Sequence, residues 1–528
     1  MKARSRVLAT TVVAALALSV SLTHGPTEAR ASTTAIPTQY IAKVYTEGLG
    51  RAPDASSWNA SVAYFNTLGC SAASLQSYGE LALLSTEFSS LGYDNASKAL
   101  VGYRTVLNRE PDASGLASSI AALNGGLSWP DYVDLLFSSS EFVTLSSTIC
   151  SVTTPDYNFG TAPAVSLPLL GAGFSGTQAQ LQAALDAASP GHTVWLAGRH
   201  VVPLTSPLTV PEGVTLRTTG SPAAANYADM ARLIRANSWP TFSGAAVRLE
   251  PGAKLENVWV DGQMGVPSRY LQSAGNVLTL SGTGTAVTNS RLSNTAGAYN
   301  LGGFGGADED SPCVDNVFSY NLIDSYSSAR ENGTWTDGIS IGCEDATISH
   351  NDVVDASDVG IITFGQEGLV QGSYVHSNRV INAGNRAFGS LAVSPFIDMS
   401  GGDGPGVWSR DFSTSVMTDN QIWNTPRAPI AIGISVGVTA WSGPYALNGS
   451  GQVVTNNNSA GVGLWAQTGI VVSGMLNSTV TGNSLATTLV SGQSTCPSAA
   501  VGADVTGGYA SGTIQGSYLD TAYYACIS

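Results

Sequence analysis

The chain has 528 residues, a formal charge of −15, only 11% charged residues, 59 glycines and 43% hydrophobic residues. That length exceeds one ordinary domain, and the abundant Val, Ile and Leu exclude a disordered chain in favour of a β-rich fold. The acidic balance excludes nucleic acid and an anionic membrane surface as partners, because neither is drawn to such a surface.

Residues 1–31 read as a secretory signal: MKARSR is basic, VLATTVVAALALSVSL is apolar, and Ala29-Arg30-Ala31 is a small-x-small cleavage site. The apolar run is too short to anchor the chain, and no later segment reaches transmembrane length. The expectation is a secreted, extracellular monomer without membrane insertion. Six cysteines in an exported chain suggest disulfides. Their positions favour Cys70–Cys150, Cys313–Cys343 and Cys496–Cys526, each within one segment. None has zinc spacing and the histidines are scattered, so no metal site is expected from them.

Residues 39–150 hold a duplication: Tyr45 to Asp54 (YTEGLGRAPD) returns as Tyr103 to Asp112 (YRTVLNREPD) at an offset of 58. Each copy closes on Ser-x-Glu-Phe, at Ser85–Phe88 and Ser139–Phe142, and Leu and Ala recur between at helical spacing. Both copies resemble a secreted bacterial helical repeat domain of unknown function, marked by Y-x-x-x-L-x-R-x-P-D and S-x-E-F. That resemblance implies an extracellular or surface protein and no chemistry. Asp54 and Asp112 suit helix N-caps, and Arg51 and Arg109 suit ion pairs with Glu87 and Glu141.

Residues 151–172 are rich in Pro, Gly, Ser and Thr, as a linker is. A short amphipathic helix follows, with Leu181, Ala184, Leu185 and Ala188 on one face, and then a series of short strands through 173–528. The order of helix, strand, VPEGVTL and KLENVWVDG resembles the opening of pectin-lyase-like right-handed parallel β-helices. A recurring corner supports the same fold. Leu292-Ser-Asn294, Leu322-Ile-Asp324, Val353-Val-Asp355, Val380-Ile-Asn382 and Ile422-Trp-Asn424 align, most of them preceded by Asn321, Asn351, Asn378 or Asn420. The asparagine intervals are 30, 27 and 42 residues, and Asn456 and Asn483 continue them. This is the pattern of a parallel solenoid whose coils stack asparagine amides. Asp324 and Asp355 are expected in that corner ladder.

Equivalent positions of stacked coils lie about 4.8 Å apart. Three residues beyond the corner stand Ser327, Asp358, Asn385 and Arg427, and Asp337 of TDGIS precedes Asp358 of SDVGI by 21 residues. Two carboxylates one coil apart suit the acid–nucleophile or acid–base pair of a glycosidase, or Ca²⁺ chelation. Their mutual repulsion raises one pKa, as a general acid requires. The spacing also resembles polygalacturonases, whose N-T-D-G is followed about one coil later by an Asp pair. Val359 replaces the second Asp of the pair, Gly-His-Gly and Arg-x-Lys are absent, and Lys254 is the only lysine of the β-helix half. The cationic subsite that a uronate needs is therefore not expected. Glu331 and Trp335 on an insertion, Arg386, Asp398 and Trp408 complete the substrate-binding candidates, with Trp423 and Trp441 as further sugar platforms. His350 and His376 recur with the coils, which suggests surface or ladder roles rather than catalysis. The sequence therefore points to a polysaccharide or cell-surface glycan as partner and hydrolysis by Asp337 and Asp358. A lyase or epimerase, or a non-catalytic glycan-binding protein, is the alternative.

Overall fold

The computed structural model describes residues 36–151, 167–236, 238–239, 244–263, 270–271, 275–304, 313–326, 333–365, 370–394, 409–437, 448–473, 475–489 and 500–501. Helices occupy Thr38–Gly48 to Ser140–Ser151, where Asp54 and Asp112 cap their helices by accepting from the N–H of Ser57 and Gly115. Arg51 and Arg109 clasp Glu87 and Glu141 in two-point contacts, and Cys70 is joined to Cys150.

From Thr193 onward the chain winds through three parallel sheets in turn, of 10, 8 and 11 strands. This is a right-handed parallel β-helix. The helix Gln178–Asp186, closed by a Thr177/Gln180 capping box, lays Leu181 and Leu185 over its first coil. One inward side chain per short strand, among them Val287, Phe318, Ile348, Val375, Met417 and Val454 in the first sheet, fills the bore. Cys313 and Cys343 are joined on neighbouring coils.

Between the first and second sheets each coil turns through a left-handed residue: Tyr320, His350, Ser377, Asp419, Asn456 and Gly482, with φ between 56° and 68°. The next residue is the ladder asparagine: Asn321, Asn351, Asn378, Asn420, Asn457 and Asn483. Each of the first five gives its amide N–H to the Oδ1 of the next at 2.8–3.0 Å, and its backbone N–H to the same oxygen. The ladder thus runs through Asn457, not Asn456, which takes the left-handed place that asparagine tolerates. Asp324 is not in the second corner either, for it pairs with Val354, one residue before Asp355. The extended repeat of apolar-x-Asn/Asp concealed that slip of one position.

The helices pack directly on the solenoid. They cover the outward face of the second sheet, where Trp259, Tyr326, Val354, Ile381 and Trp423 join the helical core. Four carboxylates and three guanidinium groups are enclosed there. Glu47 takes Arg104 at 2.8 Å and Arg291 at 2.5 Å, and Glu110 takes Arg104 at 2.9 Å and Arg232 at 3.1 Å. Arg232 also reaches Asp261, and Arg291 reaches Asp324. All three guanidinium groups lie over the Trp259 ring, at 3.8–5.0 Å from its centroid. Burial pushes Glu47 upward, but Arg104 and Arg291 outweigh it and hold the carboxyl down at about 2. Trp423, expected beside a sugar cleft, is instead buried under this module.

Candidate active site

Asp337 opens the strand Asp337–Gly342 of the third sheet, and Asp358 stands immediately before its neighbour Val359–Phe364. Ile339 pairs with Ile361, so the register sets Asp337 opposite Val359 rather than Asp358. The backbone agrees, since the N–H of Asp358 donates to the carbonyl of Thr336 at 3.0 Å. What aligns between TDGIS and SDVGI is the glycine. A Cβ on Gly338 would meet the Gly360 carbonyl and the Val353 side chain at 2.4 Å, and one on Gly360 would meet Val380 at 2.3 Å. Only glycine lets the backbone pass so close to the core at these points. Across that glycine the Ser340 hydroxyl reaches the Asp337 carboxyl. A bulge follows on the next coil, where the Asp358 carbonyl accepts from both Phe388 and Gly389.

Asp337 is half-buried. Its Oδ1 accepts the N–H of Val359 at 2.9 Å, and its Oδ2 is 2.5 Å from the Ser340 hydroxyl. Burial first, and then the negative charge of Asp358, push its carboxyl well above the ordinary range, against the pull of the two donors. The two carboxyls therefore form one electrostatic unit in which Asp337 is the one biased toward the protonated form. Sequence reasoning missed Tyr270. Its hydroxyl donates to the Trp335 carbonyl, and its phenol is pushed up by burial, then by Asp358 and Asp337. It reaches the pair from more than 60 positions away in the chain, on a coil with no repeat signal at that point.

Trp335 is half-buried and packs with Phe364 against Val359, Ile362, Phe388, Ala392, Ala431, Ile432 and Val471. This apolar field lies on the outward side of the third sheet, next to the acids. Asn385 takes no part in it: it is buried, and its amide donates to the carbonyls of Ser325 and Asp355. Asp355 is likewise internal, its Oδ1 gathering the N–H groups of Ala383, Gly384 and Asn385. Arg386 is exposed and Arg427 half-buried, each in a turn leading into a strand of the third sheet. Glu331, Asp398, Trp408, Trp441, Ser327, Cys496 and Cys526 lie outside the described residues. Among the described residues no group of three His, Cys, Asp or Glu side chains is disposed to hold a metal.

The architecture is that of a right-handed parallel β-helix. The chain is similar in fold to an endo-xylogalacturonan hydrolase from Aspergillus tubingensis, with 16% identity, 66% of this chain and 100% of that one covered, and a TM-score of 0.37. It is also similar to an alginate lyase from Paenibacillus sp. (13% identity, 56% and 97% covered, TM-score 0.30). A third likeness is to the Dettilon tailspike protein, of which it spans 59%, covering 55% of this chain at 13% identity and a TM-score of 0.33. No family model and no curated relative matches the chain. These likenesses concern the course of the backbone and assign no reaction.

Proposed function

We propose that the chain is an extracellular polysaccharide hydrolase in which Asp337 is the general acid and Asp358 its ionised partner. The observation that carries this is the upward shift of the Asp337 carboxyl, caused by burial and by the neighbouring Asp358 charge on the outward side of the third sheet. A proton-bearing acid beside a carboxylate is what glycosidic cleavage needs. The acid protonates the leaving oxygen, while the second carboxylate attacks the anomeric carbon or draws a proton from water. Trp335 and Phe364, the half-buried aromatics at the edge of this apolar cluster, supply faces on which a sugar ring can stack. Tyr270 braces the Trp335 backbone beside the pair.

A non-catalytic glycan-binding role is favoured by a different observation: Asp337 already accepts one backbone N–H and lies against one hydroxyl, as a purely architectural aspartate would. Reducing-sugar release and ultraviolet absorbance of unsaturated products, measured across neutral and acidic polysaccharides, separate the readings. Reducing ends without the absorbance are expected. Absorbance would indicate a lyase, and binding without either product would leave the second reading standing.

A further inference from the structure

The first sheet exposes an unusual strip on its outward side. On three successive coils, Tyr320, His350 and the pair Tyr374/His376 place aromatic and imidazole rings in one contiguous row. Tyr320 stacks on His350 with centroids 4.7 Å apart and planes 16° from parallel, and His350 meets His376 edge-on at 5.5 Å. His376 lies against Tyr374 at 4.1 Å. The tyrosines are 53% and 44% exposed, so the faces turned away from the stack remain open to solvent. Among the described residues nothing accepts from the two phenolic hydroxyls. His376 Nδ1 alone of the imidazole nitrogens has a partner, Ser377 Oγ at 3.2 Å.

Backbone geometry adds a second observation. Tyr320 and His350 occupy the left-handed corner, with φ of 60° and 57°. Asn257, Asn289, Asp419, Asn456 and Gly482 fill that corner on other coils and, like His350, take the conformation cheaply, while Ser377 stands there on the coil of Tyr374 and His376. A tyrosine there is costly, so its ring is retained against the local preference. Below the strip the second tier is already satisfied: the hydroxyls of Ser319 and Ser349 bond each other at 2.9 Å. The rings are thus not needed to finish the scaffold's hydrogen bonding.

We propose that the row Tyr320–His350–Tyr374/His376 is a second saccharide-binding surface, accepting a neutral glycan chain on a different flank of the solenoid from Asp337 and Asp358. Open aromatic faces take the apolar side of a sugar ring, and the phenol and imidazole edges take its hydroxyls. Successive coils repeat about every 4.8 Å, so a glycan running along the solenoid axis meets a new ring at each step. Charge decides the ligand class. Among the described residues, the first-sheet strands carry only Arg217 and Lys254 as cations, both on coils before those of the strip and Arg217 paired with Glu256, while Asp419 lies beside His376 and the whole chain is strongly acidic. A uronate or sulfated chain would find no cation here, whereas a neutral one has no charge to desolvate. The second flank is closed by the helical module, whereas Tyr320 and Tyr374 of this strip stand exposed.

The proposal rests on the carbohydrate reading only for the type of ligand, and its test does not require turnover. Native gels of the full chain containing xylan or β-glucan, compared with polygalacturonate or alginate, would be run for wild type, Asp337→Asn, Tyr320→Ala/Tyr374→Ala, Tyr320→Phe/Tyr374→Phe and Tyr320→Asn. Retardation by a neutral glycan is expected for wild type, Asp337→Asn and the Phe pair. The Ala pair should weaken it roughly tenfold to hundredfold. Tyr320→Asn should melt no lower than wild type, because asparagine suits the corner, and yet bind less. Equal binding by the Ala pair, retardation only by the polyanions, or no retardation by either neutral glycan would overturn the proposal. So would a lower melting temperature for Tyr320→Asn, which would make the ring a structural prop.

Discussion

At the scale of single residues, burial and the Asp358 charge bias Asp337 toward its protonated form. Its carboxyl is raised in the folded state, so the native protein binds more protons than the unfolded chain at pH values between the two pKa values. The stability that this contributes is present at low pH and is lost as pH rises through the folded value. Asp337→Asn, which mimics the neutral acid, should therefore gain in melting temperature over wild type as pH is raised from mildly acidic to alkaline. A gap that stays constant with pH would mean that Asp337 is ionised throughout. For the hydrolase, the same sign places loss of activity on the alkaline side, where Asp337 can no longer donate. A rate–pH profile on the substrate found in the panel should fall there, and Asp358→Asn should shift stability in the same direction by removing the charge that helps to hold the proton.

Among the elements, the asparagine ladder is the clearest case of local chemistry fixing a repeat. Asn378 gives its amide to Asn420 Oδ1 and to the Ile348 carbonyl, and receives the N–H groups of Asn351. Asn378→Ala would strand several buried groups at once, each worth about 1–3 kcal/mol. A loss of about 3 kcal/mol in chemical denaturation is expected, and Asn483→Ala, at the ladder's last rung, should cost less. This element was legible in the sequence because a buried amide has few substitutes, so Asn321, Asn351, Asn378 and Asn420 recur visibly. The register of the acids was not legible. TDGIS and SDVGI align by eye on their aspartates, whereas the fold aligns Gly338 with Gly360, because steric exclusion at the core sets the coil and the carboxyl does not. Tyr270 was invisible for a related reason: a side chain arriving from another coil leaves no periodic trace. Asn385 misled because a turn amide and a ligand-binding amide have the same letter, and only its burial against Ser325 and Asp355 tells them apart.

For the whole molecule, the unexpected feature is the junction of helices and solenoid. Duplication, caps and the Arg51–Glu87 and Arg109–Glu141 pairs could be read from the motif, because they are local. The Glu47–Arg104–Glu110 side of the interface could not, since its partners Arg232 and Arg291 lie far along the chain. The seam has a physical logic: charges buried on both sides must meet each other or remain unpaired. Glu47→Ala leaves Arg104 and Arg291 without a shared acceptor, which should cost about 3–5 kcal/mol. Calorimetry of wild type should show helices and β-helix melting in one transition. Separate transitions in wild type, or a negligible cost for Glu47→Ala, would show that the seam does not couple the two parts. With the second flank closed in this way, glycan is left the third-sheet side, with Asp337 and Asp358, and the first-sheet side, with its rings.

The central claim is that Asp337 and Asp358 cut a glycosidic bond, and the rate of reducing-end release by Asp337→Asn and Asp358→Asn tests it most directly. On the polysaccharide that wild type degrades, each variant should fold as wild type does and lose about 10²-fold or more of the rate, the usual range for a proton-transferring group. Undiminished release by both variants would contradict the account.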